Sequence, residues 1–293
     1  MKITRLNDTT FFADLDEIDK WLVCRGFRQR DRLRTYKANI EEMIRREQGA
    51  HPAQVFAHVK AAGRITEILT SYVEGIEFVN ALTCLRGKQI AIPDELLRKV
   101  LDGPRDAAQE DNKSNQGRNA MFELLMGAMA ARADLQPILG QANPDVEFQF
   151  QGRRVFMECK RVMSKRAIVD RISEAIRQLA KRVDSGKADI GLVAICISRL
   201  IHQGNGYWNV DVPSPDVPDH FLSQFLQWII ARLDNRLQTL QQPSVSGIVF
   251  YVSSPFRVPN IGYTPATQGM VYPMTTNSAD TDFLTALEGA LEL

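Results

Sequence analysis

Apolar residues recur at spacings of three and four through the first hundred positions, in the stretches 13–27, 36–47 and 54–82, and predict amphipathic helices there. Strand-like alternation is absent from that part. A short helix is predicted over 92–103, opened by Pro93-Asp94 and closed by Gly103. The stretch 103–117 is polar and rich in turn formers, so it reads as a linker between an all-helical N-terminal domain, 1–105, and a second domain, 106–293. Beyond it the pattern changes. A helix at 117–133, a short strand at 135–139, a hairpin at 144–161 and a helix at 167–183 come first. A buried strand at 190–197, a helix at 220–240, strands at 246–253 and 269–275, and a closing helix at 280–293 follow. Such alternation predicts an α/β domain with mixed strand directions.

The hairpin can be placed in register from its turn. If Gln151-Gly152 forms a two-residue connection, opposed residues have numbers that sum to 303. Val146 then faces Met157 and Phe148 faces Val155, which makes one apolar face. Asp145 faces Glu158 on the other, where like charges destabilise unless something neutralises them. A divalent cation would do so. Magnesium takes oxygen ligands and commonly only one or two carboxylates; Asp145 and Glu158 supply that pair, and the carbonyl of Cys159 is a candidate third oxygen. Lys160 shares the strand face of Glu158, where it can hold or deprotonate a water beside a phosphate. The bland alternative is an ion pair on a solvated strand.

Composition narrows the classes without choosing among them. With 44% hydrophobic and 24% charged residues, the 293-residue chain is of ordinary globular type. No apolar run approaches the roughly 20 residues of a spanning helix, and the first residues have no secretory apolar core, so no membrane partner and a cytoplasmic location are expected. Cys24, Cys84, Cys159 and Cys196 lack C-x-x-C spacing and the four histidines lack zinc-like pairing, so neither a disulfide framework nor a structural zinc is indicated. A formal net charge of +1 leaves any nucleic-acid signal to be local. One is present: 160–187 holds nine basic residues against three acidic ones. Arg161, Lys165, Arg166 and Arg171 are its candidates for phosphate contact. A second basic stretch, 28–37, reads as a solvated helix face.

Pro144-Asp145, a twelve-residue gap and Glu158-Cys159-Lys160 together resemble the PD-(D/E)xK nuclease superfamily. The resemblance covers about 116–198 and implies a restriction-endonuclease-like mixed sheet flanked by helices. It also implies a metal-site glutamate in the helix before the strands, a position that Glu123 matches, and a polar residue in the helix after the motif, a position that Gln178 matches. The small neighbours Ala120, Gly127 and Ala130 would let the helix of Glu123 lie close to the sheet. The expectation is a Mg2+- or Mn2+-dependent endodeoxyribonuclease. Asp145, Glu158, Glu123 and the Cys159 carbonyl would hold the ion, and Lys160 would orient the attacking water. DNA is the expected partner, with the N-terminal domain serving targeting, homodimerisation or a partner subunit. The competing reading keeps the fold as an inactive nucleic-acid-binding or protein-interaction module.

Overall fold

The computed structural model describes residues 8–47, 65–102, 116–140, 144–183, 185–201, 212–214, 217–258 and 262–293. The described part of the chain opens with the helices α1 (Asp8–Cys24), α2 (Asp31–Glu47), α3 (Ile65–Gly87) and α4 (Asp94–Leu101). Then come α5 (Gln116–Arg132), β1 (Ile138–Leu139), β2 (Val146–Phe150), β3 (Arg153–Arg161) and α6 (Ala167–Val183). The chain continues through β4 (Ile190–Cys196), the single-turn α7 (Ser198–Ile201), α8 (Val217–Gln238), β5 (Gly247–Val258), β6 (Gly262–Pro273) and α9 (Ser278–Ala290). The linker predicted at 103–117 falls outside the described residues up to 115.

The six strands form one mixed sheet in the order β1-β2-β3-β4-β5-β6. The first three pair antiparallel, β3-β4-β5 pair parallel, and β6 returns antiparallel on β5. Hairpin β2-β3 has the register that its turn requires, with Val146 opposite Met157 and Phe148 opposite Val155. Gln151 and Gly152 both have positive φ, 48° and 75°, the geometry of the tight turns that match strand twist.

Period-two alternation sends the strand residues into two apolar layers. Val155, Met157, Cys159, Leu192, Ala194, Val249 and Tyr251 pack with the side chains of α1–α5 and α9. Phe156, Val193, Ile195, Ile248, Phe250 and Val252 pack with α6 and α8. Covered on both faces, β4 is buried throughout, which explains its unbroken apolar run. The helices before residue 102 thus share a core with one face of the sheet.

Two expectations are corrected at the far edge. The strands predicted at 246–253 and 269–275 are twelve-residue arms of one long hairpin, with Pro255 opposite Pro265. Proline lacks the ladder donor and ordinarily marks a strand's end. Pro255 lies beyond Tyr251, where β5 stops pairing with β4, and Pro265 lies on β6, which has no further neighbour among the described residues, so the pairing runs on past both prolines.

Candidate active site

Asp145 precedes β2 by one residue, and its Oδ2 accepts a hydrogen bond from the backbone N–H of Cys159 at 2.7 Å. This contact pins its carboxylate to β3 beside Glu158. Because the N–H and C=O of one strand residue point to the same neighbour, the Cys159 carbonyl also points to the β2 side. Its side chain lies in the core. Glu158 faces the α6 layer and is 2% exposed. Its Oε1 accepts from Lys160 Nζ at 2.7 Å, while its Oε2 is buried with no hydrogen-bond partner.

Glu123 comes from α5. Its Oε1 accepts from the N–H of Gly140, which also donates to the Asp145 carbonyl at 3.3 Å, so one loop amide ties the helix to the start of the hairpin. The small residues beside it do what their size suggests. Ala120 and Ala130 are buried, and a Cβ on Gly127 would collide with Leu139 of β1. Only a side-chain-free position lets α5 approach that strand.

The electrostatics of the three carboxylates are mutually unfavourable. Burial, then the charge of Asp145, pushes Glu123 up to about 8. Burial and Asp145 likewise push Glu158 up to about 7, against the pull of Lys160. Asp145 is raised by burial, although the Cys159 N–H and Lys160 oppose the shift. For Lys160 burial works downward, yet the charge of Glu158 and its hydrogen bond hold the ammonium above its ordinary value. The group is a cluster of interacting charges.

The other expected residues are placed variously. Gln178 is half-buried on α6 with an unpartnered buried Oε1, and among the described residues no hydrogen bond ties it to the carboxylates. One turn earlier, Glu174 does reach the site electrostatically, raising both Glu158 and Lys160, and it pairs with Arg171 at 2.8 Å. Lys99 of α4 acts in the opposite sense on Glu123 and Asp145. Neither Glu174 nor Lys99 carries a sequence signal, since only the tertiary fold brings them near. Lys165 and Arg166 are exposed, as phosphate contact requires.

Arg161 is not exposed. Its backbone N–H donates to Asn119 Oδ1 and its guanidinium points to the opposite sheet face from Lys160, towards Glu74. There Glu74 meets Arg118 at 2.5 Å, Arg32 at 3.3 Å and Arg161 at 3.5 Å, and accepts from Tyr36 Oη at 2.7 Å. Glu74, Arg118 and Arg161 line a cavity of about 50 Å³ between α3, α5, the carboxyl end of β4 and the middle of β5. Burial works against ionisation of Glu74, but the three guanidiniums hold it well below the ordinary carboxylate range.

No helix among the described residues is long and apolar enough to cross a membrane. No family model matches the chain, and neither a curated protein nor a solved structure does.

Proposed function

We propose that the chain is a metal-dependent nuclease of the PD-(D/E)xK type that hydrolyses phosphodiester bonds in DNA. The observation that carries this reading is geometric: at one end of hairpin β2-β3, Asp145 is pinned beside Glu158, whose second oxygen is buried without a partner, with Lys160 bonded to the first. An oxygen-only donor set of two carboxylates and the Cys159 carbonyl fits magnesium or manganese, and the orphaned Glu158 oxygen fits a ligand role. Glu123, held on the loop amide of Gly140, fits a contact through water. When bound, such an ion supplies Lewis-acid polarisation of the phosphate.

The chain's own groups do the rest. Lys160, anchored by Glu158 and held as an ammonium, positions a water by donating to it and stabilises the negative charge that develops as the water gives its proton to solvent. Lys165 and Arg166 offer cations to the backbone phosphates beyond the scissile one. One observation favours the inactive module: Lys160 and Glu158 already satisfy each other at 2.7 Å, as a structural ion pair would.

Incubation of the full chain with plasmid and with single-stranded DNA, across Mg2+ and Mn2+ titrations, separates the two. Cleavage that Asp145→Asn abolishes while DNA binding persists supports the nuclease. Binding without cleavage under every divalent ion leaves the module.

A further inference from the structure

Trp228 stands out on the α6/α8 face because the residue is 39% exposed, whereas most large apolar residues in the described structure are buried. It ends a row of aromatic residues, Phe221, Phe225 and Trp228, spaced by four and three along α8 and so on one side of the helix. The row is anchored at its inner end, where Phe221 sets its ring edge against Phe256 at 5.8 Å. It rises to the surface at the other, where Phe225 and Trp228 stack at 6.1 Å and 27°. Two cations sit on the indole: Lys165 Nζ at 5.0 Å and the Arg232 guanidinium at 4.3 Å from the ring centre. Neither is within ion-pair distance of a carboxylate among the described residues.

Lys165 links this surface to the acidic site. It lies in the short segment between the end of β3, five residues after Lys160, and the start of α6. We infer that Trp228, with Lys165 and Arg232, is a stacking platform for an unpaired base of a single-stranded nucleic acid, with the two cations taking the adjoining phosphates. Chemistry selects this occupant. An aromatic face takes any base by stacking, and cations beside it track the backbone. A duplex hides the faces of its bases, so an exposed indole discriminates in favour of single strands. A cation over an exposed ring is a weaker contact than a stacked base, so Lys165 can leave the ring for a phosphate when a base arrives. The inference rests on the nuclease reading for its role, because it places the strand end or flap next to the cleavage site.

The test uses the full-length protein with EDTA present, so that binding is read without cleavage. Fluorescence anisotropy with a labelled oligothymidylate and with a duplex of equal length gives an affinity ratio for wild type, Trp228→Ala, Trp228→Phe and Lys165→Ala. Trp228→Ala should weaken single-strand binding roughly 5–100-fold and lower the ratio, with Trp228→Phe restoring most of it. Lys165→Ala should reduce the salt slope of binding by about one. An unchanged ratio in Trp228→Ala, or equal losses for single strand and duplex, overturns the platform. So does a Trp228-dependent binding of polyglutamate as tight as that of DNA, which would mark an acidic-protein site. Plasmid cleavage by the same wild-type preparation distinguishes the failures: an active enzyme with an unchanged ratio loses only the platform, while a protein that neither cuts nor binds any nucleic acid loses both readings.

Discussion

Lys160 and Arg161 are consecutive residues of one strand, and they serve buried charge clusters of opposite kind on the two faces of the sheet. On one face a single glutamate, Glu74, is met by three guanidiniums and stays ionised far below the ordinary range. On the other, Glu158 has one close cation, Lys160, beside the carboxylate of Asp145, and Glu123 reaches this pair from α5 on the first face; Glu158 and Glu123 are pushed up to about 7 and about 8. Burial acts in the same direction on both sides. What differs is the count of partners. The Glu74 carboxylate is neutralised from within, by a cluster that joins α2, α3, α5 and β3. The Glu158 cluster has a deficit of positive charge among its described neighbours, and on the nuclease reading an external cation would fill it.

The comparison breaks most sharply at Lys160. On the nuclease reading, Lys160→Ala lowers the cleavage rate roughly 10²–10⁴-fold while the fold and metal binding persist. Glu158→Ala instead weakens metal affinity, because it removes a ligand. A magnesium titration of cleavage rate for both variants checks this, and full rescue of Lys160→Ala by excess metal would remove its assigned role. On the opposite face Glu74→Ala should cost about 3–5 kcal/mol of stability, since it removes the carboxylate that three buried guanidiniums share. Urea unfolding reads that loss. A change below 1 kcal/mol would mean that the arginines find water or other partners.

How much of this was legible in the chain follows from parity and reach. The hairpin register could be read because Gln151-Gly152 specifies its turn and the alternation on either side fixes the faces. The neighbourhood of Asp145 and Glu158 followed from it. Arg161 was misplaced for the same physical reason: a charge tally along 160–187 treats Lys160 and Arg161 as one surface, but in a strand adjacent side chains point to opposite faces. Glu74, Lys99 and Glu174 have no local signature, because their roles depend on which helix covers which face. The strand arms beyond Ser253 were missed because proline usually ends a strand, and only the edge position of the hairpin permits the pairing.

The pH dependence of stability sharpens the contrast at intermediate size. The folded-state values of Glu158 and Glu123 lie above the ordinary glutamate value near 4.3. The folded protein therefore binds these protons more tightly than the unfolded chain. Their stabilising contribution is complete below about pH 4 and is lost as pH rises to about 7 for Glu158 and about 8 for Glu123. With EDTA present, unfolding free energy should fall across this window by up to about 1.4 kcal/mol per pH unit and group. Glu158→Gln should flatten the part below pH 7. A profile that rises with pH across the window would show that the carboxylates are already neutralised.

The smallest effect concerns neutralisation at a distance. Lys99 is half-exposed and makes its ion pair with Glu95, at 2.9 Å, within α4. Its charge nevertheless lowers the proton affinity of both Glu123 and Asp145 from across the gap between α4 and the hairpin. Arg118 against Glu74 is the contrasting case, a contact at 2.5 Å sealed from water. A contact of that kind is insensitive to salt, whereas a charge acting through solvent at the surface is screened within a Debye length of roughly 8–10 Å at physiological ionic strength. Lys99→Gln should therefore leave the fold unchanged and alter magnesium affinity by a factor of no more than about 5 at low salt. The direction follows from competition between proton and metal. Without Lys99 the carboxylates hold protons more tightly, which weakens metal binding near pH 7, but a metal cation also no longer meets a repelling ammonium, which strengthens it at pH 9, where the carboxylates are ionised. Calorimetric titration with magnesium at both pH values, in about 20 mM and about 300 mM salt, reads the sign change and its loss on screening. An effect of one sign at both pH values, undiminished by salt, would place Lys99 in direct contact with the site.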